Sequence, residues 1–370
     1  MPKESAEGER RVALVPDAVT SLGKSEIEVT VEPGAGEEAG HPDAQYEEAG
    51  ATLEGAGAWG GDVVAKVAPP NPDEIDELRE GQVLIGFLNP LTAGESNKAL
   101  AAAGVTAFAM EAIPRITRAQ SMDALSSQAN VGGYAATLLA AREAGRFFPM
   151  MTTAAGTVSP ARVLVLGAGV AGLQAIATAK RLGAIVTGFD IRRAAWEQIA
   201  SLGGRPLELD FIPDAEDEGG YARPLTDDEN QQVREALAEN AARQDVIITT
   251  AQIPGRPAPI LITEQAIANM QPGSVIVDLA GETGGNSERT EAGKTVEVGG
   301  VKVIAPRNLP SDMATDASQL YAKNVENLLG LLVDEEGNLN LNFDDEIIAG
   351  ACITHEGEIK NERAKQAAEG

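Results

Sequence analysis

Three glycines, at residues 167, 169 and 172, are the residues whose type and spacing define a chemistry most narrowly. In the segment ARVLVLGAGVAGLQAIATAKRLGAIVTGFDIRR, an apolar run, Val163–Leu166, leads into Gly167-Ala168-Gly169-Val170-Ala171-Gly172. A helical stretch, Leu173–Leu182, follows. Strand, glycine turn and helix in that order form the context in which G-x-G-x-x-G binds a dinucleotide. Gly167 permits the tight turn, Gly169 lets the backbone approach a pyrophosphate, and Gly172 allows helix and strand to lie close. The pyrophosphate then sits at the helix N-terminus, where free N–H groups and the macrodipole favour negative charge. The bland alternative is a glycine-rich turn with no ligand.

A second apolar run, Ile185–Phe189, ends at Asp190, where a ribose-binding carboxylate belongs. A carboxylate there accepts a hydrogen bond from the adenosine 2′-hydroxyl and repels a 2′-phosphate, which selects NAD. Arg192 and Arg193 act in the opposite sense, because a nearby arginine can accommodate that phosphate. NAD is the reading preferred, with an ordinary strand-end turn acid as the alternative role for Asp190.

The elements around this segment follow one pattern. Short β-branched runs alternate with helical stretches, as in α/β domains with parallel sheets. In the first third the expected strands are Ile27–Val31, Val63–Val67, Val83–Phe87 and Val105–Ala109. A second series comprises Val163–Leu166, Ile185–Phe189, Val246–Thr249, Val275–Asp278 and Val301–Ile304. SSQANVGGYAATLLAAREAGRFF, from Ser126, reads as one long helix ended by Pro149 and bridging two lobes. Ala317–Leu332 is a further amphipathic helix, and the tail LNLNFDDEIIAGACITHEGEI alternates like a hairpin. The expected fold is α/β, two Rossmann-like domains with parallel sheets joined by long helices. The expected domains are 1–125 plus 320–370, and 126–319.

Composition narrows the function. The 370 residues hold 43% hydrophobic side chains, one cysteine (Cys352) and two histidines (His41 and His355). These counts leave no disulfide framework or multi-cysteine metal site, and they disfavour zinc or histidine-based hydrolysis. No run of about eighteen apolar residues is present, and MPKESAEGERR has no apolar segment of the kind that makes a secretory signal. A cytoplasmic chain is therefore expected. The net charge of −27 makes nucleic acid a poor partner. It points to a halophilic cytoplasm, where self-repulsion is screened, more than to simple solubility.

PRITRAQSMDALSSQANVGGY, FFPMMTTAAGT, ITTAQIPG (from Ile248) and VDLAGETGGN (from Val277) together resemble the NAD(H)-binding component of proton-translocating NAD(P) transhydrogenase. The similarity covers essentially the whole chain, and RAQSMD is its most specific motif. The resemblance implies that the loop Arg115–Asp123 presents Arg115, Gln120 and Asp123 to the nicotinamide end of the nucleotide. It also implies cofactor contacts at Ser126, Tyr134, Val170, Ile191, Arg192, Thr250, Ala251 and Leu279, beside the three glycines and Asp190. Gly220 and Tyr221, within DAEDEGGYARPL, match a mobile loop over the nucleotide. NADP(H) is implied on a partner subunit, together with a membrane-spanning proton-channel subunit and a homodimer of this chain. Such a chain would be attached peripherally to the inner face of the plasma membrane. Hydride transfer itself needs no protein acid or base. Read without the resemblance, Arg115, Arg118 and Asp123 make a solvated cap on a helix.

Two departures from that family are visible. The chain starts at Met1-Pro2-Lys3-Glu4 without the short strand that usually precedes this motif, and no membrane helices follow its end. The rival is alanine dehydrogenase, which resembles this chain in its two-domain plan. Arg11 and Lys66 match its substrate-holding cations, but Gly86-Phe87-Leu88-Asn89-Pro90 has no histidine where that enzyme has one, and its aspartate is replaced by Glu282. Without that base, Arg11 and Lys66 are expected to form surface or interdomain ion pairs. A non-catalytic NAD sensor is a third reading. The charge generates a first test: melting temperature should climb steeply between about 0.1 M and about 2 M KCl as repulsion is screened. A flat melting curve across that range would leave only the solubility explanation.

Overall fold

Val163–Leu166, Val246–Thr249 and Val275–Asp278 are buried at every position. They lack the polar alternation of a half-exposed strand, as expected of parallel strands covered on both faces. The computed structural model describes residues 1–209, 211, 225–253, 255–334 and 336–369. It divides into two units, Met1–Gln128 with Pro310–Gly370, and Ala129–Leu309.

In the second unit a seven-stranded sheet has the order Arg205–Pro206, Ile185–Phe189, Arg162–Leu166, Val246–Thr249, Val275–Asp278, Val301–Ile304 and Thr295–Val298. All neighbours are parallel except the last pair, a hairpin with antiparallel register. From Arg162–Leu166 the chain first moves to one side of the sheet, then returns to place Val246–Thr249 on the other. The strand order reverses between these two, and open α/β sheets bind ligands beyond the carboxyl ends of strands at such a point.

The first unit holds a five-stranded sheet, ordered Glu358–Ile359, Cys352–His355, Thr106–Ala109, Val83–Gly86 and Val63–Ala65. The last three are parallel, and Cys352–His355 runs antiparallel beside Thr106–Ala109. The core of this unit centres on Tyr46, Phe108, Tyr321 and Leu328. Helix Ala314–Leu332 covers it with Ala317, Tyr321, Val325, Leu328 and Leu332 at helical spacing.

Several elements differ from their expected form. Of Ile27–Val31 only Thr30–Val31 is strand, and it pairs with Thr52–Leu53 in a separate two-stranded sheet. The bridging helix runs Ala124–Glu143 and stops six residues short of Pro149. Gly145, at φ +59°, adopts the left-handed turn that ends helices without a Cβ penalty. Met151–Thr153 and Gly156–Val158 then form a small hairpin. The tail is a hairpin only in part, because Asp345 accepts the N–H of Ile347 and starts a helix, Glu346–Ala351, before Cys352. The segment with Gly220 and Tyr221 lies outside the described residues. Among the described residues no helix is long and apolar enough to cross a membrane.

Arg11 and Lys66 correct the expectation of surface or interdomain pairing: both are buried inside the first unit. Lys66 Nζ lies 2.9 Å from Glu74 and 3.2 Å from Glu4. Burial pushes the Glu4 carboxyl above its ordinary range, with Lys66 opposing. Arg11 lies 2.6 Å from Glu9 and donates to Gln128 at 2.8 Å. Burial opposes the Glu9 charge, but the Arg11 and Ser311 donors outweigh it and hold its pKa down. Breaking one such pair leaves an uncompensated buried charge, which costs about 3–5 kcal/mol.

Glu111 is a different case. One carboxylate oxygen accepts the N–H groups of Leu88 (2.9 Å) and Asn89 (2.6 Å), and the other is enclosed without a partner. Burial pushes its pKa up to about 7, against those backbone hydrogen bonds. A carboxyl raised on folding holds a proton that the unfolded chain has already released. Its contribution to stability is therefore present at low pH and is lost as pH rises from the ordinary carboxylate range through about 7. Glu111→Gln keeps an acceptor for both amides without the buried charge. It should match the parent near pH 5 and melt higher near pH 8, by of order 2 kcal/mol. Equal melting temperatures at both pH values would contradict the burial account.

Candidate dinucleotide-binding site

The glycine turn sits at the carboxyl end of Arg162–Leu166, where the strand order reverses. Gly167 has φ +95°, and a Cβ there would lie 2.7 Å from Thr250 Oγ1 and 3.0 Å from the Ala251 nitrogen. At Gly172 a Cβ would lie 1.8 Å from the Gly167 carbonyl oxygen, which no side chain tolerates. Gly169 is the contrast: a Cβ there would meet nothing within 4 Å. It precedes helix Val170–Arg181, and no side chain caps the first turn. The N–H groups of that turn therefore border open space beside an exposed backbone, an arrangement that suits a diphosphate.

Neighbouring strands complete the rim. Thr250 Oγ1 donates to the Gly167 carbonyl at 3.0 Å and its N–H to Leu166 at 2.8 Å. Ala251 is held by Asn286, which accepts the Ala251 N–H at 3.0 Å and donates to the carbonyls of Ala251 and Pro259, each at 2.8 Å. Leu279 donates its N–H to Thr249. Helix Ala124–Glu143 approaches the turn through Gly133, where a Cβ would lie 2.1 Å from the Ala171 carbonyl oxygen, and Gly132 faces Leu279. Tyr134 is 41% exposed on the same helix. Sequence reasoning missed Asn286 and Gly133. The adjacent glycines inside a helical pattern were the available signal for Gly133; for Asn286 it was a polar residue following two glycines.

Asp190 ends Ile185–Phe189 and is 7% exposed. One oxygen accepts the Ala168 N–H at 2.8 Å and Arg192 Nη2 at 2.9 Å. The other accepts the N–H and Nε of Arg192, at 2.9 and 3.0 Å. A carboxylate has about four acceptor positions, so a ribose hydroxyl must share or displace a donor here. Arg192 therefore neutralises Asp190 before any 2′-phosphate could use it. Ile191 lies between them and is half-buried.

The predicted nicotinamide loop belongs to the first unit. Thr117–Met122 is a short 3-10 turn with Ala119 and Met122 buried, while Arg115 and Gln120 are exposed. Asp123 precedes helix Ala124–Glu143 and accepts the N–H and hydroxyl of Ser126, at 2.9 and 2.6 Å. That is an N-cap. The loop is tied down elsewhere: Arg118 makes a bidentate pair with Asp345 at 2.6 and 2.7 Å, and the Ser121 carbonyl accepts from Asn324 and Asn327. The Asp345 carboxyl is held down to about 2, chiefly by Arg118. A cavity of 610 Å³ in the first unit, lined by Leu22, Val29, Val63 and Leu329, has no comparable set of convergent polar groups.

A doubly wound sheet carrying a fitted diphosphate turn at its reversal point, in a chain with a second α/β unit, defines the class of two-domain nicotinamide-nucleotide-binding proteins. Residues 1–132 match the family description "Alanine dehydrogenase/PNT, N-terminal domain", and residues 136–362 match its C-terminal domain. The chain belongs to this alanine dehydrogenase/PNT family. It is 48% identical over 370 residues to the first of the polypeptides that make up the NAD(P) transhydrogenase alpha subunit of Rhodospirillum rubrum, covering 97% of this chain and 96% of that one. A solved transhydrogenase from Sinorhizobium meliloti is 48% identical with a TM-score of 0.89, over 97% of this chain and 98% of the other. An L-alanine dehydrogenase structure is 27% identical with a TM-score of 0.82, over 99% and 97% of the two chains.

Nucleotide choice follows from Asp190. NADH should bind at least about tenfold more tightly than NADPH, because a 2′-phosphate would lie against this carboxylate. Asp190→Asn should narrow the gap. Quenching of Trp196, whose indole N–H donates to the Asp190 carbonyl at 3.0 Å, provides the readout. Equal affinities in the parent would sink the assignment.

Proposed function

We propose that this chain is the NAD(H)-binding component of a proton-translocating transhydrogenase. It transfers hydride directly between NADH and NADP+ held on a partner subunit, and a membrane-spanning subunit couples this to proton movement. The observation that carries the reading is the turn at Gly167–Gly172, with open space over Gly169 and an uncapped helix N-terminus, in a chain similar to transhydrogenase alpha subunits along its whole length. When bound, the nicotinamide supplies the hydride chemistry without a protein acid or base. The chain binds and positions. First-turn N–H groups receive the diphosphate, Asp190 and Arg192 receive the adenosine ribose, and Arg115, Gln120 and Asp123 orient the nicotinamide end. Thr250, Ala251 and Leu279 wall the nucleotide, and Gly220 and Tyr221 cover it. The proposed assembly is a homodimer attached through its partners to the inner face of the plasma membrane.

Histidine placement disfavours the deaminating alternative. His41 lies against Tyr46, His355 lies 2.9 Å from Thr106 Oγ1, and residues 86–90 contain no histidine. Arg11 and Lys66, matched to that enzyme's substrate-holding cations, are engaged by Glu9, Glu4 and Glu74.

The loop variants separate positioning from capping. Asp123→Asn preserves an N-cap, since asparagine caps as well as aspartate, so it tests the charge alone. Gln120→Asn shortens the reach of an exposed side chain. NADH affinity should fall by less than about tenfold in each. Hydride transfer to an acetylpyridine analogue of NAD, assayed with an NADP-binding partner subunit, should fall much further. A displacement of about 1 Å can slow a reaction on the order of a hundredfold. Parental rates in both variants would reduce the loop to a helix cap.

A further inference from the structure

The most polar part of this molecule is its surface, yet one exposed segment carries no charge. Residues 147–161, FFPMMTTAAGTVSPA, lie between Arg146 and Arg162 without a single ionisable side chain, in a chain of net charge −27. Within the segment Met151–Thr153 pairs with Gly156–Val158 in an isolated two-stranded sheet, and residues 149–159 are all exposed. Phe147, Met150, Met151 and Val158 are 50%, 63%, 37% and 43% exposed. They account for four of the eleven large hydrophobics exposed among the described residues, concentrated in twelve positions. Ile185, 52% exposed, adjoins the base of the segment, where its N–H donates to the Ala161 carbonyl.

The base is anchored and the tip is not. Phe148 and Ala161 are buried, and the Ala161 N–H bonds to the carbonyls of Phe147 and Phe148 at 3.2 Å. Pro149 packs at Gly183, where a Cβ would lie 2.7 Å from Pro149 Cβ. A lone two-stranded hairpin is marginal in water, and its outer edges present unpaired backbone groups. Contiguous exposed apolar groups of this kind mark an interaction site.

We propose that this hairpin is the arm through which two copies of the chain associate. The proposal rests on the homodimer of the preceding reading and names its contact surface. Charge selects the occupant. Two copies at −27 repel over most of their surfaces, and the uncharged arm is where they can touch without setting like charges together. A two-fold axis sets the same patch of each copy against the other, so one apolar arm with a free strand edge suffices for both sides. A basic partner would be drawn to the acidic surface instead, since the arm has no charge to attract it.

Sedimentation equilibrium of the full chain tests this, at about 0.1 M and about 2 M KCl. The parent should sediment at twice its 38.4 kDa mass, with tighter association at the higher salt. Met150→Glu combined with Val158→Glu places four like charges in a two-fold contact and should give monomers. Both side chains are exposed, so NADH affinity should stay within about twofold of the parent and report intact folding. A parent that is monomeric at high salt, or a double variant that remains dimeric, overturns the proposal. Loss of hydride transfer with a dimeric parent and a monomeric variant would count against the enzymatic reading alone.

Discussion

The contact between Gly172 and the carbonyl oxygen of Gly167 leaves room for a hydrogen atom and nothing larger, and the second unit is organised around it. Because a Cβ at 172 would fall 1.8 Å from that oxygen, the helix can begin directly over the end of its strand only with glycine there. The same carbonyl accepts the Thr250 hydroxyl, which joins the turn to the next strand across the reversal point. From the other side Gly133 brings helix Ala124–Glu143 against Ala171, again with no space for a methyl group. Three close backbone approaches thus hold the first turn of Val170–Arg181 in place. Gly169, alone among the turn's glycines, borders open space that a ligand can fill. Electrostatic binding of a diphosphate depends on donors that are already aimed, and this packing supplies the aim.

The first unit is held differently, by charge inside a hydrophobic frame. Lys66 and Arg11 are buried with Glu4, Glu74 and Glu9, and Tyr321 donates its hydroxyl to the Lys66 carbonyl at 2.8 Å. Such pairs contribute little net stability, but removal of either partner is expensive, so they define which arrangement of the core is tolerated. Glu111 extends the theme without a cation: two backbone amides hold it against a loop in which Asn89 adopts φ +50°. The neighbouring segment Thr117–Met122 is fixed by Arg118, by the Ser121 carbonyl and by Asp123 as a cap. Gln120 and Arg115 project from a rigid support, which is what a positioning role requires.

Much of the α/β plan was legible because its signals are local. A glycine turn between an apolar run and a helix is governed by contacts within about twenty residues, and continuous β-branched runs mark buried parallel strands wherever they occur. Asp190 was legible for the same reason, one strand further on. Its engagement by Arg192 was not, because a guanidinium two residues away can turn toward a carboxylate or toward solvent, and spacing does not choose. The bridging helix was overextended because Gly145 reads as a tolerated interruption until its left-handed backbone is seen. Pro149 was credited with a stop that had already happened.

Long-range pairing lay beyond the sequence. Thr30–Val31 left the main sheet for Thr52–Leu53, and Cys352–His355 joined Thr106–Ala109 across some 250 residues. Neither choice is written in the periodicity of the strands involved. Arg11 and Lys66 look like ordinary surface cations, and only the fold brings Glu9, Glu4 and Glu74 to them in a dry interior. By itself the sequence determined which residues make strands, which turn accepts a diphosphate and which acid follows it, since those depend on backbone freedom and nearest neighbours. Tertiary structure decided which strands pair, which charges are buried together and which apolar residues stay exposed, because those depend on packing between segments distant along the chain.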